Sequence, residues 1–320
     1  MTYPALGALF ASTVSTAAAG PVVRAWLHHQ QTIDLPNERS SHTVPTPRGG
    51  GLACAFGAVA GSIVARYTWS GASVEWLGAS AILGAVGRLD DVAGLPPVPR
   101  LSLQVAVGAG VGARSGGALG ATVGAFVMPA IVNAFNFMDG INGISGGTAA
   151  AWGASVASRP TRGAITRAQG AVTAGMGLGF LPYNIPNASM FLGDVGSYLL
   201  GGGIAATVIQ SSFNRGRPDL DGAFSAVAPL APYLADTGAT IVMRASRGES
   251  ITQAHREHAY QRLVQETGWP HWGVASLVSA AAAACGALGQ SSKGRVAIAP
   301  IVALYLAAPV LARAAGRARG

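Results

Sequence analysis

The stretch LSLQVAVGAGVGARSGGALGATVGAFVMPAIVN, residues 101–133, carries one charged side chain, Arg114. A helical bilayer span takes roughly 20 predominantly apolar residues, so this run is long enough to cross at least once. Its glycines at 108, 112, 116, 120 and 124 fall every four residues, the spacing that lets helix backbones approach closely. The adjacent pair Gly116-Gly117 interrupts the run, because glycine favours turns over helix interiors. The stretch therefore reads as two helices, 101–115 and 118–133, joined by a turn, with the glycine stripe divided between them.

Apolar runs broken by short polar loops recur on both sides of this stretch. They predict helices over 4–23, 50–68, 73–87, 101–115, 118–133, 146–158, 168–181, 197–212, 222–243, 271–288 and 295–312. Several are shorter than a full span requires, so their edges must extend into the neighbouring loops. The first run has no basic segment before it and reads as a helix rather than a signal peptide. The expected fold is all-α: a polytopic membrane bundle of about 10–11 transmembrane helices, one integral-membrane domain over 1–320, with an active site on its cytosolic face.

Composition supports this reading and excludes others. Only 11% of the 320 residues are charged, against about 25% in soluble domains. So few charges cannot cover a soluble surface of this size. Half of the residues are hydrophobic, yet the mean hydropathy is a modest +0.39. Much of the apolar mass is Ala and Gly, which pack membrane helices closely. The net charge of +8 comes from basic residues scattered along the chain. Without a basic cluster interleaved with aromatics, no nucleic-acid partner is expected. Cys54 and Cys285 lie far apart in apolar runs and predict neither a disulfide framework nor a metal site.

With the N-terminus outside, the loops at 24–49, 88–100, 134–145, 182–196 and 244–270 and the C-terminal tail all fall on the cytosolic side. That side holds about 12 of the 21 basic residues, a weak bias in the expected direction. The unusual polar loops also share this face. The expected location is the inner membrane, as a multi-pass protein.

The chain has only 13 acidic residues, which makes each one conspicuous. Asp90 and Asp91 end the third helix, and adjacent carboxylates at a membrane boundary need a cation or proton to offset them. Asn133, Asn136 and Asp139 are spaced by three, so on a helix end they share a face. Amides and a carboxylate on one face suit a hard cation or a sugar hydroxyl. Asp194 stands between Gly193 and Gly196 just before another span, a plausible Mg²⁺ ligand beside a diphosphate. The longest loop contains His255-Arg256-Glu257-His258. His255 and His258, with only His271 nearby, are short of ligands for zinc, whereas His and Arg together suit a diphosphate. Asp236 is an intramembrane carboxylate, functional by default, with no role assigned by the sequence.

Together these loops resemble the polyprenyl-phosphate N-acetylhexosamine-1-phosphate transferase superfamily. That group includes phospho-MurNAc-pentapeptide translocase and the initiating transferases of O-antigen and other surface polysaccharides. The matching stretches are Arg39-Ser-Ser-His42 through Pro45-Thr-Pro-Arg48-Gly-Gly-Gly51, Leu89-Asp-Asp91, Asn136-Phe-Met-Asp-Gly140, Phe191-Leu-Gly-Asp-Val-Gly-Ser197 and His255-Arg-Glu-His258. Asp236-Thr237 followed by Arg244 also resembles the family's ninth helix. The resemblance runs collinearly over about residues 34–265.

The resemblance implies transfer of a sugar-1-phosphate from a UDP-N-acetyl sugar to undecaprenyl phosphate, with release of UMP. It also implies Mg²⁺, with Mn²⁺ as a substitute. Carried over by position, Asp194 and Asn136 match metal-holding residues. Asp90 and Asp91 match the Asp pair, with Asp90 proposed in relatives as a base toward the lipid phosphate. Asp139 and Asn142 match the polar loop near nucleotide and sugar, and Asn184 an Asn near the uridine end. His258, with His255 and Arg256, matches the element that grips the diphosphate, and Arg100 a basic residue facing the phosphates. The catalytic set is thus Asp90, Asp91, Asp194 and His258. Membrane lipid is a further partner, and a homodimer stays open.

The last loop departs from the three-His run of the translocase subgroup. It looks more like the initiating transferases, including those of lipopolysaccharide synthesis, than like the peptidoglycan enzyme, which stays as the alternative. A transporter is the competing class, and it would carry its acids at mid-bilayer on broken helices.

Overall fold

A computed structural model describes residues 2–36, 43–68, 72–159, 162–250 and 256–317. In chain order it contains α1 (Tyr3–His29), β1 (Ile33–Asp34), β2 (Thr46–Pro47), α2 (Gly51–Thr68), α3 (Val74–Ala93), α4 (Pro97–Met138), α5 (Ile144–Ala157), α6 (Ala164–Asn184) and α7 (Gly193–Ser211). There follow β3 (Phe213–Asn214), β4 (Arg217–Pro218), α8 (Leu220–Val227), a 3₁₀ turn (Ala228–Leu230), α9 (Ala231–Ser246), α10 (Ala259–Thr267), α11 (His271–Leu288), α12 (Ser292–Arg295) and α13 (Ile298–Arg317). The strands form two minimal antiparallel hairpins, β1 with β2 and β3 with β4. The protein is a polytopic helical membrane protein, as its composition predicts.

Among the described residues, six helical segments are long and apolar enough to cross a membrane: Tyr3–His29, Gly51–Thr68, Pro97–Met138, Leu220–Ser246, His271–Leu288 and Ser292–Arg317. The 42 residues of α4 would stretch about 63 Å as one straight helix, twice a hydrocarbon core of roughly 30 Å. They do not run straight. Gly116 (φ −149°, ψ 26°) and Gly117 (φ 61°, ψ −142°) leave helical geometry and fold α4 back on itself. The glycine stripe is indeed divided, and its halves meet. A Cβ on Gly112 would strike the Gly120 carbonyl and one on Gly108 the Gly124 carbonyl, with the reverse pairs equally blocked. The stripe is thus the seam of a helical hairpin.

α7 lies at the centre, packed on α3 and α4, while α1 packs on α2 and α6, and α5 on α6 and α11. Every α7 residue except Asp194 and Gln210 is buried. A helix enclosed all round need not be greasy. Gly201, Gly202 and Gly203 let α3 and α4 approach it closely. This explains why α7 is not among the six apolar spans.

Helix edges differ from the sequence-based expectation where a polar residue still serves a helix. α3 continues through Asp90 and Asp91 to Ala93, and α7 begins at Gly193 rather than 197. The expected helix over 222–243 is divided into α8 and α9 around Pro229 and Pro232, since proline cannot donate the helical N–H. The long loop 244–270 contains α10. The terminal run 295–312 is helical as expected, forming most of α13, which packs on α9, α10 and α11.

Candidate active site

Three helix ends and one turn converge at one end of the bundle: the last turn of α3, the C-terminus of α4, the first turn of α7, and the β2–α2 junction. The junction is stitched to the segment before α7 by backbone. Gly49 and Gly50 N–H donate to Phe191 O (3.2 and 2.8 Å), Gly51 N–H to Leu192 O (2.8 Å), and Phe191 N–H to Pro47 O (2.8 Å). Glycine is required at two points here. A Cβ on Gly51 would strike the Gly196 backbone, and Gly193 sits at φ +74°, a region side chains disfavour.

Asp91 is fully enclosed. Its carboxylate accepts the N–H groups of Asp194 (2.9 Å) and Val195 (3.0 Å), closing the N-terminus of α7. An anion is favoured there by the unpaired N–H groups and the helix dipole. Arg48 then bridges two carboxylates, with Nε 2.8 Å from Asp91 Oδ1 and Nη2 3.0 Å from Asp194 Oδ1. Burial pulls the Arg48 pKa down, but Asp194 and Asp91 more than offset it and hold the guanidinium well above its ordinary value. Asp194 retains 17% side-chain exposure and receives Asn136 Nδ2 at 2.8 Å. Asn136 also donates to Ser197 Oγ at 3.2 Å.

Asp90 points the other way from its neighbour. It accepts from Leu95 N–H (2.8 Å), Tyr198 OH (3.3 Å) and Arg100. Arg100 therefore sits on Asp90, also 3.3 Å from Tyr198 OH. The half-buried Asp139, just past the end of α4, is pushed up to about 7, chiefly by its removal from water, with the Asp194 charge adding to the shift. Asn142 donates to Pro186 O at 3.2 Å. Asn184 is buried and spans two loops, accepting from Gly143 N–H (2.6 Å) and donating to Met190 O (3.2 Å). Both of its amide groups are thus engaged with backbone.

His258 caps the start of α10 and is buried. Arg256 lies in the segment just before it, and His255 lies outside the described residues. α10 is seated under the turn that follows Asn136, with Tyr260 OH donating to Phe137 O at 3.3 Å. Gly140 leaves the space that Tyr260 fills. Arg244 anchors the other end of the loop, bonding Glu257 (2.9 Å) and Ser250 O (2.8 Å).

Of the residues singled out by sequence, the structure brings Asp91, Asp194 and Asn136 into one cluster, with Asp90 and Arg100 beside it. Asn142 and Asn184 form the neighbouring loop junction. Arg48 is the functional candidate that residue-by-residue reading passed over. Its signal was present in Pro47-Arg48-Gly49-Gly50-Gly51, where glycines let the backbone come close beside a lone cation. Among the described residues, no group of three or more His, Cys, Asp or Glu side chains could by itself hold a metal ion.

Residues 73–212 match the family model described as "Glycosyl transferase family 4". The chain is 29% identical over 312 residues to a decaprenyl-phosphate N-acetylglucosaminephosphotransferase of Mycobacterium tuberculosis, covering 82% of this chain and 76% of that one. It is 25% identical over 279 residues to a probable undecaprenyl-phosphate N-acetylglucosaminyl 1-phosphate transferase of Bacillus subtilis, with 80% and 76% covered. It is 29% identical over 254 residues to a phospho-N-acetylmuramoyl-pentapeptide-transferase of Desulforudis audaxviator, with 64% and 76% covered.

Proposed function

From the premise that the chain belongs to glycosyl transferase family 4, we propose that it is a phosphoglycosyltransferase that initiates surface-glycan synthesis. It moves N-acetylglucosamine-1-phosphate from UDP-N-acetylglucosamine to a polyprenyl phosphate and releases UMP. The observation that carries this reading is the partly open Asp194, held between Arg48 and Asn136 where three helix ends meet. The relatives' names support the donor and the lipid acceptor. Undecaprenyl phosphate is the proposed acceptor; the mycobacterial relative's name points to decaprenyl phosphate, a chain one prenyl unit shorter. The acids of the cluster lie at helix ends, which favours the enzyme over a transporter.

The donor set fits Mg²⁺. The Asp194 carboxylate and the Asn136 amide are hard oxygen donors, and Mg²⁺ is commonly held by one or two carboxylates plus substrate phosphates and water. When bound, the ion supplies charge neutralisation at the transferring phosphoryl group. The chain's own residues do the rest. Asp91 fixes the first turn of α7 and with it the direction of Asp194. Arg48 and Arg100 place fixed positive charge where phosphoryl oxygens gather. Asp90, oriented by Arg100 and Tyr198, faces the acceptor phosphate. That phosphate is already largely ionised at neutral pH, so orientation matters more than strong basicity. His258 and Arg256 grip the diphosphate, and Asp139, Asn142 and Asn184 shape the nucleotide and sugar end. The site faces the cytosol, on the parity and arginine argument above.

The test is UMP release by purified protein given polyprenyl phosphate, Mg²⁺ and a panel of UDP-sugars. UDP-N-acetylglucosamine is expected to be the preferred donor. Asp194→Ala is expected to lose about 1,000-fold in turnover, the upper range for removing one electrostatic stabiliser. No UMP from any donor overturns the proposal, and a preference for UDP-MurNAc-pentapeptide replaces it with the peptidoglycan reading.

A further inference from the structure

Asp236 is the intramembrane acid that neither the sequence nor the proposed reaction uses. It is 1% exposed, and a buried carboxylate is costly unless it is fully hydrogen-bonded. Its partners come from three helices. On its own helix, α9, Thr240 Oγ1 donates to Oδ1 at 3.3 Å. From α10, Ala259 N–H donates to Oδ1 at 2.9 Å, and His258 Nδ1 lies 3.2 Å from the same oxygen. From α13, Tyr305 OH donates to Oδ2 at 2.6 Å. Thr240 Oγ1 also stands 3.4 Å from His258 Nδ1.

This arrangement does two things at once. Ala259 N–H is one of the unpaired donors at the start of α10, so Asp236 closes that helix end from a different helix. The same oxygen meets the imidazole, which limits how the ring can turn. The second oxygen is tied by Tyr305, so the carboxylate cannot rotate away. Beyond His258, the ring of Tyr260 stacks at 5.8 Å, and Tyr260 OH reaches the turn that carries Asn136 and Asp139. A line of direct contacts thus joins the last helix to the catalytic cluster.

We propose that Asp236, braced by Tyr305, is a positioning residue that sets the place and ring orientation of His258 for gripping the donor's diphosphate. The inference rests on the transferase reading above. It makes α13 part of the active-site framework rather than only a membrane anchor. Asp236 and Tyr305 touch no substrate; they act through His258. Carboxylates that orient a metal-binding histidine from behind typically account for about 10–100-fold in affinity or activity, and the same order is expected here.

The experiment measures UMP release for wild type, Asp236→Asn, Tyr305→Phe, His258→Ala and the two double variants containing His258→Ala. Asp236→Asn is expected to lower kcat/KM for the UDP-sugar by about 10–100-fold, and Tyr305→Phe by a smaller factor, while the acceptor KM stays unchanged. In the His258→Ala background neither substitution should add more than a marginal loss, because effects routed through one residue are not additive. Tyr305→Phe preserves the ring and its packing, so it tests the inference even if Asp236→Asn folds poorly. Losses that add in full on top of His258→Ala, or an acceptor KM that changes equally, overturn the inference while leaving the reaction standing. An inactive wild type overturns the transferase reading and this inference with it.

Discussion

Arg48 illustrates how much one side chain can hold in a protein with few charges. It lies between the Asp91 and Asp194 carboxylates, whose mutual repulsion it relieves. Arg48→Ala would leave the enclosed Asp91 and the partly open Asp194 facing each other, so turnover is expected to fall by about 100-fold or more in the UMP assay. Arg48→Lys keeps the charge but not the fork that reaches both acids, and should recover only part of that loss. Asp139 gives a different signature. Its pKa is raised to about 7, so its contribution to stability is present below the unfolded value near 4 and is lost as pH rises through 7. In EDTA and without substrate, Asp139→Asn should match wild type in Tm near pH 4. It should then become progressively more stable than wild type up to pH 8, as thermal unfolding across that range would show.

At the scale of elements, the α4 hairpin depends on bare backbone. Gly108 faces Gly124 and Gly112 faces Gly120, each blocked by a carbonyl rather than a movable side chain. Gly112→Leu is expected to separate the two arms and destabilise the protein by more than the roughly 1–3 kcal/mol typical of overpacking. Gly110 on the same helix has open space around it, so Gly110→Ala should leave Tm unchanged or slightly raised. Comparing the melting temperatures of these two variants in one detergent checks the seam directly. The sequence announced this hairpin because four-residue spacing and a glycine pair are both local signals. It announced α10 poorly, since a short amphipathic helix inside a polar loop leaves no long apolar run. It also misplaced the ends of α3 and α7, because a carboxylate in a first or last turn looks like loop when its partner is a distant helix end.

Across the whole molecule, charge is gathered at two ends. α5 starts beside the turn that carries Asp139 and ends, about 20 Å further on, at a second cluster. There Asp221 receives Arg159 (2.9 Å), Arg162 (3.1 Å) and Arg295, and Asp219 receives Arg162 (3.1 Å). This cluster ties the α5–α6 connection to α8 and α12. Asp221→Ala leaves three guanidinium groups close together, so Tm should fall by several degrees while kcat/KM stays within about twofold, since sites this far apart act independently. A large loss of activity at unchanged Tm would show that the two ends are coupled.

The solvent this protein folds in, its all-helical build and the glycine hairpin are legible in the sequence alone. Those follow from composition and from spacings within a few turns of helix. Which of the candidate site residues meet is set by tertiary packing. Arg48 reaches Asp194 across 146 positions, and Tyr305 reaches Asp236 across 69. No periodicity encodes such pairs. The first arises where helices packed on the central α7 bring their ends to one level, the second where α13 packs on α9; at both places buried polar groups must find partners or remain uncompensated.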